Sequence, residues 1–307
     1  IATAVGNVDT FSGTPTATLG DAHTLAELKA INNAIDGTIT LNDASVALSG
    51  SSSDVTAALT GITNYTGNVT LSDPHNLAQL KAINNATSGT ITLNDASVAL
   101  SGSSADISAA LTGISNYTGK ATLTSNHSLA ELVTINNATS GTLTLNDVTV
   151  ALSGSTSDIK AALAGNFAST YTGNVTITDA NGSGIAAADI STIAGATNGT
   201  VTVTNNINIT GNSDVIATAV GNVDTFSGTP TATLGDAHTL AELKAINNAI
   251  AGTITLNDAS VALNGSSADI AAALTGITSY TGTATLTSNH SLAELVTINN
   301  ATSGNIT

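Results

Sequence analysis

Gly37-Thr38-Ile39-Thr40-Leu41-Asn42-Asp43 recurs along the chain, in closely related forms, twelve times. Matching segments begin at Pro15, Gly67, Gly89, Gly119, Gly141, Gly173, Gly199, Pro230, Gly252, Gly282 and Gly304. The third residue after each start is always Thr: Thr18, Thr40, Thr70, Thr92, Thr122, Thr144, Thr176, Thr202, Thr233, Thr255, Thr285 and Thr307. The residue before it is always apolar, as at Ala17, Ile39, Val69 and Ile91. Alternation with a period of two is the mark of a half-buried strand, with Thr and the apolar residue on opposite faces. Intervals between starts run 22, 30, 22, 30, 22, 32, 26, 31, 22, 30 and 22 residues. Self-similarity at such periods marks a repeat array rather than a globular enzyme. The pattern predicts an α/β repeat, an elongated solenoid of parallel strands backed by short helices, in about twelve coils alternating between 22 and 30 residues. Residues 1–307 are expected to form one continuous domain.

The shorter coil, His23 to Asp43, opens with a helix-start signal: Thr24 with Glu27 three residues on is a capping box. It recurs as Ser128 with Glu131, Thr239 with Glu242 and Ser291 with Glu294, and in amide form as Asn76 with Gln79. Leu25, Leu28 and Ile31 then share a helical face, and Gly37 is expected to end the segment in a left-handed conformation. The longer coil adds S-V-A-L-S-G, a short strand, before a second helix for which Ser53 and Asp54 suit the N-terminus. Stacked coils should then form one parallel sheet at about 4.8 Å per strand, on the order of 55 Å over twelve coils.

Composition narrows the classes. Aromatic residues make up 2% and charged residues 8%, while 41% are hydrophobic, which is enough for a thin core but does not describe a disordered polar tract. Net charge is −16 with no Arg, a balance that repels nucleic acid and anionic membranes. Cys, Met and Trp are absent, so neither a disulfide framework nor a thiolate metal site can form. No apolar run approaches the roughly 18 residues of a membrane span. The chain starts on Ile1 and stops at Thr307 inside a strand segment, so both ends look like cuts through a longer array. Residues 1–49 recur at 216–264 with only Asp36 replaced by Ala251 and Ser49 by Asn264, the trace of an internal duplication.

Four repeated features are candidate sites. Histidines at 23, 75, 127, 238 and 290 stand just ahead of the shorter helix; alternate coils carry them, at a spacing of roughly 10 Å, too far apart to share a zinc ion. An aromatic ladder comprises Tyr65, Tyr117, Tyr171 and Tyr280, with Phe11 and Phe226; exposed rings would suit a glycan or a second fibre, whereas packed rings would seal helix against sheet with the hydroxyl in water. An acidic edge runs through Asp43, Asp73, Asp95, Asp147, Asp179 and Asp258, with Asp21 and Asp236 in register. Calcium is the cofactor such an edge would take, and turns or helix caps are the account to set beside it. The threonine row, namely Thr40, Thr70, Thr92, Thr122, Thr144, Thr176, Thr202, Thr255 and Thr285, raises an ice- or ligand-binding face. Asn68, Lys120, Asn174 and Asn305 interrupt the parallel row one residue before it. There is no nucleophile elbow, no phosphate-cradling Gly loop and no carboxylate that occurs once only, and catalysis needs a unique constellation. No enzyme is expected.

The tandem S-L-A-E-L-V-T-I-N-N-A-T-S-G-T-L-T-L-N-D unit, with no Cys or Met and almost no basic residues, resembles the very large repetitive cell-surface proteins of marine cyanobacteria and other aquatic bacteria. What that resemblance implies is an exported surface layer, fibre or adhesin at the extracellular face, without functional residues to carry over. The leucine spacing is loosely similar to leucine-rich repeats, but their L-x-x-L-x-L frame and Asn ladder are not kept. A structural, self-associating filament is the first expectation, with contacts along the axis or between filaments. An adhesin that binds calcium, a glycan or a cell-surface partner is the second.

Overall fold

A computed structural model describes residues 1–307, which form two compact units. The first comprises 1–148 and 164–169, the second 149–163 and 170–307. The first unit runs α1 (Ala2–Gly6), β1 (Ala17–Thr18), α2 (Leu25–Ala34), β2 (Ile39–Thr40), β3 (Leu48–Gly50), α3 (Ser52–Leu59), β4 (Val69–Leu71), α4 (Leu77–Ala86), β5 (Ile91–Thr92), β6 (Leu100–Gly102), α5 (Ser104–Leu111), β7 (Ala121–Leu123), α6 (Leu129–Ala138) and β8 (Leu143–Thr144). The second continues with β9 (Leu152–Gly154), α7 (Thr156–Leu163), β10 (Val175–Ile177), β11 (Gly184–Ala186), α8 (Ala187–Ala196), β12 (Val201–Val203), β13 (Asn208–Gly211), α9 (Ser213–Gly221), β14 (Thr225–Phe226), β15 (Thr231–Leu234), α10 (Leu240–Ala249), β16 (Ile254–Thr255), β17 (Leu263–Gly265), α11 (Ser267–Leu274), β18 (Ala284–Leu286) and α12 (Leu292–Ala301). Every strand pairing is parallel. The chain is thus an α/β repeat of short strands and twelve helices.

One continuous sheet was the expectation; the strands instead form six small sheets of two to four strands. The reason lies in the L-S-G strand of the longer coil. In the first unit β3, β4 and β5 make one sheet and β6, β7 and β8 the next, so β5 pairs with the coil behind while β6, in the same coil, pairs with the coil ahead. Helices pack at about 8–10 Å and strands at about 4.8 Å, so one strand per helix would leave the two layers badly out of step. Three strands for every two helices narrows that mismatch.

Parity follows the sequence where the strand leads directly into a helix. Val69 and Leu71 are buried with Thr70 exposed, and Ala121 and Leu123 are buried with Thr122 exposed. In the shorter-coil strands Ile39, Leu41, Ile91 and Leu93 are only half-buried, packing on the margin of the core around Leu28, Val55, Tyr65, Val69 and Ile83. All five capping boxes form, as where Glu27 N–H donates to Thr24 Oγ1 at 3.3 Å while Thr24 N–H donates to Glu27 Oε2 at 2.9 Å. Two details differ from expectation. The longer-coil helix is capped by Ser51, which accepts from Asp54 N–H at 3.1 Å, not by Ser53. Gly37 has no left-handed backbone; a Cβ there would sit 2.0 Å from the Pro15 carbonyl oxygen, and at Gly89 2.3 Å from that of Gly67. Glycine opens these strands because two backbones nearly touch.

Candidate functional site

The repeated polar side chains divide between the surface and the seams that join one coil to the next. Thr40, Thr70, Thr92, Thr122, Thr144, Thr255 and Thr285 are exposed, and Thr176 and Thr202 are half-buried. Their rows are shared with the L-S-G strands: Ser49, Thr70 and Thr92 stand in register, as do Ser101, Thr122 and Thr144. Hydroxyls therefore line short patches rather than one continuous row of threonine.

The acidic edge is two different sets of residues. Asp43, Asp95 and Asp258 each accept from the N–H and hydroxyl of a serine two residues on, closing a turn at Ser45, Ser97 and Ser260. Those serine hydroxyls, then the serine N–H groups, hold these carboxyls below the usual range. Asp73, Asp179 and Asp236 reach instead to the previous coil and accept from the first N–H of its helix, at Ser52, Thr156 and Ser213. Ser125 and Ser288 do the same for Ser104 and Ser267. No three His, Asp or Glu side chains come together in the manner of a metal site.

The aromatic ladder is not on the surface. Tyr65, Tyr117, Tyr171 and Tyr280 are each 1% exposed, and their hydroxyls do not reach water. Tyr65 Oη donates to the Val46 carbonyl at 2.5 Å, and Tyr117 and Tyr280 donate to those of Val98 and Val261 at 2.6 Å. Each of these three oxygens also meets a histidine 42 residues earlier: His23 Nε2, His75 Nε2 and His238 Nε2 lie 3.1 Å from the Oη of Tyr65, Tyr117 and Tyr280. Burial pushes the Tyr65 phenol up to about 12, with the Asp43 charge adding to it, and moves the Tyr117 and Tyr280 phenols upward as well. These histidines are 3–4% exposed, and their buried rings are held below the ordinary imidazole value. Histidine and tyrosine, read as separate features in the sequence, are one device.

Other seam residues escaped the sequence reading. Asn84 Nδ2 donates to the carbonyls of Ala109, Ala110 and Thr112 at 2.8–3.0 Å, satisfying the C-terminal end of the next helix, and Asn32 and Asn247 do likewise. Thr87 Oγ1 donates to Gly67 O at 2.8 Å, and Thr139 and Thr302 repeat the bond to Gly119 and Gly282. Four of the five lysines, scattered to the eye, each pair with an Asp on the next helix: Lys29 with Asp54, Lys81 with Asp106, Lys160 with Asp189 and Lys244 with Asp269. Fixed offsets were the available signal: 42 residues from His to Tyr, and 25 from Lys29, Lys81 and Lys244 to their aspartates.

The chain is a repeat protein whose distinctive side chains bind its own neighbouring coils. It matches no known family model, no curated protein and no solved structure.

Proposed function

We propose that this is a structural repeat protein of the cell exterior, an α/β solenoid that serves as a fibre, stalk or surface coat and carries no enzymatic activity. The observation behind this reading is the seam: caps, Asn clamps, buried His–Tyr pairs and Lys–Asp pairs recur along the array and are spent on neighbouring coils. Repetition of one contact set suits mechanical continuity, whereas catalysis needs a constellation found once. A net charge of −16 and the absence of Cys and Met fit prolonged exposure outside the cell, as does the resemblance to giant surface proteins. Self-association along the stacking direction follows from the same physics, since a heterologous contact that does not close grows in one dimension. Negative-stain imaging of native material, with antibody labelling of intact cells, tests the reading. Uniform surface-attached filaments are the expected result; compact particles confined to the cell interior would overturn it.

A second reading rests on the registered, exposed hydroxyls of Ser49, Thr70 and Thr92 and their repeats. Such patches would let the same scaffold act as an adhesin toward a glycan. Glycan-array binding that is lost on Thr70→Val and Thr122→Val, with stability unchanged, would favour it over a purely mechanical role.

A further inference from the structure

The open groove lined by Ser115, Asn116, Asn137 and Asn166 has no charged side chain and no buried polar atom left without a partner. The histidine niches differ. The Tyr65 hydroxyl has one proton, and it is donated to the Val46 carbonyl, which can only accept. The bond between Tyr65 Oη and His23 Nε2 therefore requires the imidazole to be the donor, which places the ring proton on Nε2. Nδ1 is left as a bare acceptor, buried and without any hydrogen-bond partner. The same reasoning applies to His75 with Tyr117 and Val98, and to His238 with Tyr280 and Val261. Each clamp ties together three successive passes of the chain: the entry to a shorter helix, the approach to the next L-S-G strand, and the approach to the strand after it.

We propose that these clamps make the adhesion between coils acid-labile, each holding only while its imidazole is neutral with the proton on Nε2. A proton added to Nδ1 would create a buried cation whose new N–H has no acceptor, the costliest kind of unpaired group. The charged side chains around the rings are carboxylates: Asp43 and Glu27 at His23, with Asp21 and the Ile1 amino group in the same depression; Asp95 and Asp73 at His75; Asp258, Glu242 and Asp236 at His238. The carboxylates favour the cation, yet burial outweighs them and the rings stay below 6.5. The sign follows. An unfolded chain takes up these protons first, so stability is full above 6.5 and is lost as pH falls from there toward the lower folded values. His127, 4% exposed and displaced in the same direction, adds to the effect. In that window each ring lowers the folding equilibrium constant up to about tenfold per pH unit.

Long-range 15N–1H NMR of the imidazoles tests the proposal on the unaltered chain. Expected are the Nε2–H tautomer at His23, His75 and His238 at pH 7.5 and titration midpoints below 6.5. An Nδ1–H tautomer, or midpoints at or above 6.5, would overturn it. Denaturant unfolding between pH 7.5 and 5.5, in excess EDTA to exclude any cation at the Asp edge, reads the consequence. Replacing the three histidines together by Gln should remove up to three protons from the uptake on unfolding, and equal uptake in both chains would also overturn the proposal. Should that variant fail to fold, the NMR titration decides alone.

Discussion

At the residue scale, one position separates core from solvent. Val69 is fully buried in β4 and its neighbour Thr70 is exposed. Val69→Asp would bury a carboxylate with no partner, costing about 3–5 kcal/mol, whereas Thr70→Asp sets it in water at about 0.5 kcal/mol or less. Denaturation midpoints of the two variants check this, and equal losses would refute the assigned parity. Glycine gives a second contrast. Gly89→Ala drives a Cβ to 2.3 Å from the Gly67 carbonyl, a backbone atom that cannot step aside, and should cost about 1–3 kcal/mol. Gly195→Ala, inside α8 with nothing within 4 Å, should instead stabilise by about 0.5–1 kcal/mol. Thermal melts of the pair read opposite signs. Alternation in the template foretold the Val69 and Thr70 assignments. The role of Gly89 was not legible, because a close approach between coils leaves no local pattern.

At the scale of elements, a helix here is finished by the coil beside it. The carbonyls at the end of α5 are answered by Asn84 on α4, and the first N–H of α5 by Ser125 on the following coil. Asn84→Ala should therefore cost about 1–3 kcal/mol by stranding part-buried carbonyls, while Asn85→Ala, one residue on and exposed, should cost under about 0.5 kcal/mol. Amide hydrogen exchange across residues 104–112 would show faster opening of α5 in the first variant only. Capping boxes were legible because they close within four residues. The Asn clamps were not, because donor and acceptor lie 25 to 28 residues apart.

For the molecule as a whole, the effective unit is neither coil alone but a pair of coils. Tyr65 and Tyr117, His23 and His75, and Asp54 and Asp106 each stand 52 residues apart, and the His–Tyr and Lys–Asp bonds within the first unit recur at that step. Alternating intervals of 22 and 30 residues already pointed to two kinds of coil. What they could not reveal is that in the first unit three strands serve two helices, so that the sheet of β3, β4 and β5 closes after one pair and that of β6, β7 and β8 begins. A deletion respects or violates this arithmetic. Excising Ser53–Ser104 joins Ser52 to Ala105 and rebuilds a longer-coil helix as S-A-D-I-S-A-A-L, with Asp106 in place to meet Lys29 and Tyr117 to meet His23. Stability in a repeat array is a sum over units and their interfaces, so the shortened chain should keep a cooperative melt with a lower enthalpy and a Tm within a few degrees of the parent. Excising Ser53–Ala78, half the period, fuses a longer-coil helix start to a shorter-coil helix and leaves His23 without its tyrosine and Lys29 without its aspartate. That chain should lose its cooperative melt. Circular dichroism with calorimetry distinguishes the outcomes, and equal tolerance of both deletions would mean that the single coil, not the pair, is the folding unit.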